Sequence, residues 1–327
     1  MLRLILSRLL LSCVVVLVVS IGAFALARYA PGDPVAAMVG EDVHLHSVED
    51  QSRIRRELGL DDPLAVQYGR WLRGAVHGDL GYSLIYKEPV ATLIGKRLPA
   101  TVLLLGSALA IALVAGAALG AMSAAAAGKP LDRTAMAGAL LLYSVPPAWL
   151  ALVLVSLFAV ALGWLPSGGL TSLGTLDAGS WADRAWHMVL PIATLASTNL
   201  AVFARYQRST LLDALRRPHV TVARAKGLSR AAVVVRHGWR NALIPMATLL
   251  GSSLATVVEG AYVVETIFSW PGLGRLGVDA IVRRDYPVVM GVALVSAVAV
   301  VAGNWLADVS YGWLDPRLRR TGGGGAA

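Results

Sequence analysis

The chain has 327 residues, of which 56% are hydrophobic and 15% are charged, and its net charge is +9. Ordinary soluble domains carry about 25% charged residues, so this composition argues against a soluble globular protein and excludes a disordered chain. A single cysteine, Cys13, excludes an internal disulfide framework and a cysteine-rich metal site.

Stretches without Asp, Glu, Lys or Arg predict six membrane-spanning helices, because a helix needs about 20 mostly apolar residues to cross the hydrocarbon of a bilayer. The first stretch could instead be a signal peptide, since Arg3 and Arg8 precede it and small residues end it. Its 19 residues and the five stretches that follow favour an uncleaved helix. The predicted spans are residues 9–27, 98–128, 134–162, 185–204, 241–258 and 286–307.

The distribution of Lys and Arg along the chain predicts that both termini lie inside the cell. In that orientation the inner segments hold sixteen basic residues, whereas the short outer loops hold four. The long segment 28–98, which follows the first span, would then be extracytoplasmic. Membrane topology therefore accounts for most of the positive charge, and a nucleic-acid partner is not needed to explain it.

Residues 205–240 form the longest inner segment, and they carry nine basic residues against one acidic residue. Their periodicity predicts one short helix from about His219 to Lys226 and a second from about Ser229, separated by Gly227. Such a basic pair of helices could dock into a groove on a soluble partner, or it could lie on anionic lipid headgroups. The residue pattern alone favours neither alternative.

Within this segment, TVARAKGLSRAAVVVRHGWRNALIP resembles the cytoplasmic EAA-type loop of ABC importer permeases, above all those of the dipeptide, oligopeptide and nickel branch. Where the general family pattern has an acid, six residues before the glycine, this chain has Thr221, as is usual for that branch. Further stretches match the branch in order and extend the resemblance over nearly the whole chain: APGDPV, GDLG at 78–81, SVPPAWL, VVETIFSWPGLGRLGVDAI, RRDYPVV and DPRLR.

The resemblance implies an all-α integral membrane protein with the type I ABC importer fold. It implies three parts: residues 1–97 hold the first transmembrane helix and the extracytoplasmic loop, residues 98–312 form the transmembrane domain with five helices, and residues 313–327 are a cytoplasmic tail. In this family the basic loop seats on an ATP-binding subunit. The residues that would make that contact here are Ala223, Arg224, Ala225, Lys226, Gly227 and Leu228.

The implied function is that of a permease subunit in the cell membrane, which forms the path for di- or oligopeptides by alternating access. The implied partners are a second permease, two ATP-binding subunits, an extracytoplasmic substrate-binding protein and membrane lipid. Import of nickel or a metal chelate is the alternative within the family. An ATP-independent secondary transporter is the alternative of another class, and it would be expected to carry midplane charges and inverted repeats that this sequence does not show.

The sequence predicts that the subunit itself is not an enzyme and binds no cofactor. A nucleotide site of the common type needs a glycine-rich loop that ends in Gly-Lys-Ser/Thr. The nearest string, GAMSAAAAGKP, has Pro130 after Gly128 and Lys129 and has no glycine at the required spacing. His44 and His46 stand beside acidic residues in the outer segment, but their irregular spacing predicts a solvated loop and no metal site.

The outer end of the fifth span supplies our candidates for residues of the translocation path or its gate. Charged residues within a span are costly to bury in hydrocarbon, so they are candidates for function. The glutamates could line the path or pair with outer arginines, or they could be helix-end residues at the interface. The candidates are Glu259, Glu265, Pro271, Gly272 and Gly274.

Prolines and small residues predict local features of the spans. Pro146 and Pro147 in the third span favour a kink, which could act as a hinge, line a cavity or serve packing alone. Gly116 and Gly120 form a GxxxG pattern that predicts close packing of the second span, and we expect Asn199 to make an interhelical hydrogen bond.

Overall fold

The computed structural model describes residues 2–29, 53, 61–83, 85–172, 179–216 and 240–314. Its elements are α1 (Leu2–Tyr29), α2 (Leu64–Val76), β1 (Tyr82–Ser83), β2 (Glu88–Pro89), α3 (Val90–Ala125), α4 (Pro130–Ser144), α5 (Pro147–Leu154) continued by a π-helix (Val155–Ala161), α6 (Trp181–Leu215), α7 (Arg240–Ile267), α8 (Leu273–Val282) and α9 (Tyr286–Leu314). The two short strands pair antiparallel, with Tyr82 opposite Pro89 and Ser83 opposite Glu88.

Helices occupy the positions of all six predicted spans. By length and composition, four helices in the described part of the chain could each cross a membrane: α1 from Leu9, α3, α6, and α9 as far as Trp305. The bent pair formed by α4 and by α5 with its π-helix would be a fifth span if it counts as one. α7 lies where the fifth span was predicted and is not in that set. The described residues thus support four or five of the six spans.

The helices extend beyond the charge-free stretches from which they were predicted. α3 begins at Val90 and not at Leu98, and α6 continues to Leu215, well past the predicted end at Ala204. α7 likewise passes through Glu259, beyond the predicted end of the fifth span at Val258, and ends at Ile267. A helix ends where its backbone hydrogen bonding ends, whereas a charge-free stretch marks only the part that can lie in hydrocarbon.

The chain divides into two compact units, one formed by Met1–Thr101 with Pro271–Val301 and the other by Val102–Trp270 with Ala302–Ala327. In the first unit, the Tyr68 hydroxyl of α2 lies 2.8 Å from Ser20 Oγ of α1. The N–H of Leu273, the first residue of α8, donates to Thr101 Oγ1 at 2.7 Å and so satisfies a donor that has no partner within the helix.

The core of the second unit lies between α3, α6 and α7 and includes Leu109, Phe203 and Val257. Glycines let α3 approach α6 closely: a Cβ on Gly120 would lie 2.3 Å from the Ala204 carbonyl oxygen, and a Cβ on Gly116 would lie 2.7 Å from Phe203 Cβ. The close packing predicted from the GxxxG pattern is confirmed.

Residues 163–172 follow the π-helix and form a loop of the second unit. This loop contacts both the end of α7 and the first turns of α6. The Gly169 N–H donates to the Phe268 carbonyl oxygen at 2.8 Å, and a Cβ on Gly168 would lie 2.3 Å from that oxygen. Asp183 accepts hydrogen bonds from the Ser172 N–H at 2.9 Å and from the Ser172 hydroxyl at 2.7 Å. The loop is therefore held by backbone contacts and by local hydrogen bonds.

Candidate functional site

The third predicted span is broken at Val145–Pro146, where the axes of α4 and of α5 with its π-helix differ by 102°. Val145 is extended, with φ −82° and ψ 124°, and Pro146 follows with φ −58° and ψ 134°. A residue before proline is pushed out of the helical region, and proline lacks the N–H that would continue the helix. Pro147, by contrast, suits the first position of α5. The predicted kink is thus confirmed, as a full break.

A cavity of about 350 Å³ opens beside this break, between the α4–α5 junction and the middle of α6 and α7. It lies wholly within the second unit. The eleven residues that line it are Tyr143, Ser144, Val145, Pro146, Pro147, Thr194, Leu195, Thr198, Asn199, Val257 and Gly260.

The polar part of the lining consists of hydroxyl groups and one amide. The hydroxyls of Ser144 and Thr194 donate to carbonyl oxygens of their own helices, at 2.9 and 3.0 Å. Ser144 is exposed, so its oxygen can accept another bond, whereas Thr194 is fully buried. Asn199 is only 4% exposed, and its amide makes no hydrogen bond with any described residue. The expected interhelical bond of Asn199 is therefore absent from the described part of the chain, and the amide lines the cavity.

The described residues of this lining carry no fixed charge. Apart from Tyr143, none of the eleven side chains is ionisable. Nor do the described residues bring three or more His, Cys, Asp or Glu side chains together in a way that could hold a metal ion. The cavity can therefore offer hydrogen bonds to a neutral polar group, but its lining offers neither a counter-ion nor a set of metal ligands.

The two candidate glutamates of α7 lie in different environments. Glu259 is exposed and precedes Gly260 of the cavity lining, but it does not itself line the cavity. Glu265 is fully buried, and its carbonyl oxygen accepts a hydrogen bond from the Trp270 N–H at 2.8 Å. Their assignment to the path or gate stays a prediction.

The other three candidates belong to the first unit and do not line the cavity. Gly272 is the N-cap residue of α8, and Gly274 lies buried in the first turn of that helix. Pro271 precedes the cap and is partly exposed. A role of these residues in a gate likewise stays a prediction.

The predicted contact with the ATP-binding subunit lies outside the described residues. α6 ends at Leu215, and the described residues stop at Arg216 and begin again at Arg240. The residues Ala223, Arg224, Ala225, Lys226, Gly227 and Leu228 all fall between these two positions.

Sequence reasoning did not select Thr194, Thr198 or Val257 as functional residues. One signal was available, because Thr194 and Thr198 are four residues apart and therefore lie on the same face of α6, with Asn199 about 100° further round the helix. The prolines at the break were the other signal, since helix-breaking residues within a span are tolerated where they line a cavity.

Comparison with known proteins covers nearly the whole chain. Residues 1–105 match the N-terminal part of the membrane components of binding-protein-dependent transport systems, and residues 116–320 match the description "binding-protein-dependent transport system inner membrane component". One chain in a solved structure of the MetNI methionine ABC transporter, which shows inward-facing conformations, has a similar fold. Its TM-score is 0.51, with 18% identity, over 67% of this chain and 96% of that chain.

Two curated relatives match along almost their full length. The chain is 39% identical to the oligopeptide transport system permease protein AppB of Bacillus subtilis, over 96% of this chain and 98% of that protein. It is 38% identical to the dipeptide transport system permease protein DppB of Escherichia coli K12, over 98% and 99%. These matches and the apolar helices agree with the resemblance seen in the sequence: the chain is a multi-pass protein of the cell membrane, and it belongs to the inner membrane components of binding-protein-dependent transport systems, the permease subunits of ABC importers.

Proposed function

We propose that this chain is one of two permease subunits of an ATP-driven importer of di- or oligopeptides. The observation that carries the proposal is the full-length match to permeases named for oligopeptide and dipeptide transport. The second permease, two ATP-binding subunits and an extracytoplasmic substrate-binding protein complete the importer. The charge asymmetry supports the orientation with both termini inside.

The cavity beside the helix break supports peptides as the cargo. Peptide groups carry a hydrogen-bond donor and an acceptor each, and the cavity offers both kinds of partner through its hydroxyls and the Asn199 amide. Its volume of about 350 Å³ falls within the usual range of small-molecule sites. A lining without carboxylates or ammonium groups would bind charged side chains of the cargo weakly, so peptides of different sequence could pass.

The same lining speaks against the two alternatives. Nickel or a metal chelate would be bound better by His, Cys or carboxylate ligands, and none of these is among the described residues that line the cavity. An ion-coupled secondary transporter would need ionisable groups near the midplane, and among the described lining residues only Tyr143 is ionisable.

The mechanism that we propose connects ATP to the cavity through α6. Residues 223–228 contact an ATP-binding subunit, which itself hydrolyses the nucleotide, because this chain contains no glycine-rich phosphate loop. Thr198 of α6 lines the cavity, and the same helix continues from there to Leu215. The distance between the two residues is about 26 Å along a straight helix. A push on the segment after α6 could therefore reach the cavity along one rigid element.

Uptake of labelled peptide tests the proposal, in vesicles that hold the complete importer with ATP inside and the binding protein outside. We expect accumulation only when both are present. Gly227→Trp should abolish it by blocking the subunit contact, and Arg224→Glu should lower it strongly. Arg224→Lys keeps the charge and is the matched control. Normal uptake and normal co-purification of the ATP-binding subunits in both Gly227→Trp and Arg224→Glu would refute the proposed contact.

A further inference from the structure

We infer that Asp132 and Arg208 form a latch that makes α4 move together with the last turns of α6, so that motion of the predicted coupling segment reaches the cavity. The inference rests on the proposed function, because it concerns how the ATP-binding subunits drive the permease. It assigns a positioning role to two residues that are not among those lining the cavity.

The latch is a bidentate ion pair between helices that are far apart in sequence. Arg208 Nε donates to Asp132 Oδ1 at 2.6 Å, and Arg208 Nη2 donates to Asp132 Oδ2 at 2.8 Å. Two parallel bonds fix the relative orientation of the partners as well as their distance. The Asp132 side chain is 4% exposed and that of Arg208 is 31% exposed, so water screens the pair only partly.

The Asp132 carboxylate also accepts hydrogen bonds from the end of α3 and from the turn between α3 and α4. The Ser123 hydroxyl donates to Asp132 Oδ1, and the Gly128 N–H donates to Asp132 Oδ2 at 2.9 Å. Gly128 has a φ of +79°, a conformation that glycine adopts without strain. The end of α3, the turn and the start of α4 therefore all meet Arg208 of α6 at one buried group.

A second contact ties α4 to α6 near the cavity. The Arg205 guanidinium lies 5.9 Å from the centre of the Tyr143 ring, a distance at which a cation is attracted to an aromatic face. Asp132 and Tyr143 are eleven residues apart on α4, which is about 16 Å of helix. Their partners on α6, Arg205 and Arg208, are only three residues apart, about 4.5 Å, so one turn of α6 holds α4 at both of these points.

The far end of α4 forms part of the cavity wall. Tyr143 and Ser144 end the helix and line the cavity, and the break at Val145–Pro146 follows directly. Because the helical hydrogen bonding stops there, α4 can pivot at the break without dragging α5. A displacement of the last turn of α6, eight residues before Ala223, would thus move α4 and α6 together. It would shift their two walls of the cavity against Pro147 of α5 and against Val257 and Gly260 of α7.

A cysteine in the cavity wall tests this inference without any cargo. Ser144 is exposed and lines the cavity, so Ser144→Cys serves as the probe, in the complete importer with Cys13→Ala because Cys13 is also exposed. The rate of labelling by a thiol reagent is measured without nucleotide and with ATP trapped by vanadate. The latch is weakened by Asp132→Asn, which removes the negative charge, and by Arg208→Lys, which keeps the positive charge but cannot make the two parallel hydrogen bonds of the guanidinium.

The matched control breaks an exposed pair of the same type. Arg70 Nη2 lies 2.6 Å from Asp62 Oδ2, with side chains 57% and 40% exposed, and Asp62→Asn removes that acid. We expect a severalfold nucleotide-dependent change in labelling with the intact latch and with Asp62→Asn. The change should be lost in Asp132→Asn and reduced in Arg208→Lys, in complexes that still co-purify with the ATP-binding subunits.

The possible results distinguish a coupling role of the latch from a role in folding alone, and they do not depend on the identity of the cargo. A residue needed only for folding would lower the yield of complex but leave the nucleotide response of the recovered complex unchanged. A wrong assignment of peptide as cargo would leave the labelling result intact. An equal nucleotide response in Asp132→Asn and Asp62→Asn, or no response with the intact latch, would overturn the inference.

Discussion

The two ends of α6 are held by different chemistry. Its first turns are joined to the loop 163–172 by hydrogen bonds between residues close in sequence, such as Ser172 and Asp183, which are eleven residues apart. Its last turns are joined to α4 by an ion pair whose members, Asp132 and Arg208, are 76 residues apart. A local attachment with backbone contacts makes a static anchor, whereas a side-chain pair between two separate helices can transmit motion.

The largest effect on stability is expected at the crossing of α3 and α6, close to the latch. In Gly120→Ala the new Cβ would lie 2.3 Å from the Ala204 carbonyl oxygen, and the helix backbone cannot yield as a flexible side chain could. We expect a loss of about 1–3 kcal/mol in the free energy of unfolding, as for other overpacked cores. Thermal unfolding of the protein in detergent measures this loss.

Gly106→Ala is the matched control for that experiment, because Gly106 lies on the same helix and a Cβ there would meet nothing within 4 Å. We expect it to be neutral or slightly stabilising, since alanine has the higher helix propensity. If Gly120→Ala were as stable as Gly106→Ala, the close approach of α3 to α6 would be wrong.

At the other end of α6, Gly168→Ala should have a smaller effect. The new Cβ would again lie 2.3 Å from a carbonyl oxygen, that of Phe268, but here a loop can shift where a helix cannot. We expect a loss of about 1 kcal/mol, at the low end for overpacking. Thermal unfolding is again the measurement, and a loss larger than that of Gly120→Ala would show that the loop is the more rigid of the two contacts.

The smallest changes test the two attachments of α6 separately. Ser123→Ala and Ser172→Ala each remove one hydroxyl donor from an aspartate that keeps other hydrogen bonds. Each should cost about 1 kcal/mol of stability. Only Ser123→Ala should also reduce the nucleotide-dependent labelling at Ser144→Cys. Equal labelling responses in the two variants would remove the distinction between anchor and latch.

The helices could be predicted from the sequence because hydrocarbon excludes charge, and the break at Pro146 followed from the chemistry of proline. The bounds were less accurate, since charged residues such as Lys96 and Glu259 lie inside helices. The membership of the cavity could not be predicted, because it depends on how α6 is rotated against its neighbours. The pairing of Asp132 with Arg208 left no local pattern, since only tertiary packing brings these residues together.

If peptides pass through the cavity beside the helix break, a bulky residue in its lining should block them. Thr198 is half-buried and lines the cavity, whereas Ala193 on the same helix is exposed and does not. Uptake of labelled dipeptide is measured in vesicles with the complete importer that carries Thr198→Trp or Ala193→Trp. We expect Thr198→Trp to lose uptake while its ATP-binding subunits still co-purify, and Ala193→Trp to transport normally. Equal uptake by the two variants, in equally assembled complexes, would contradict a path through this cavity.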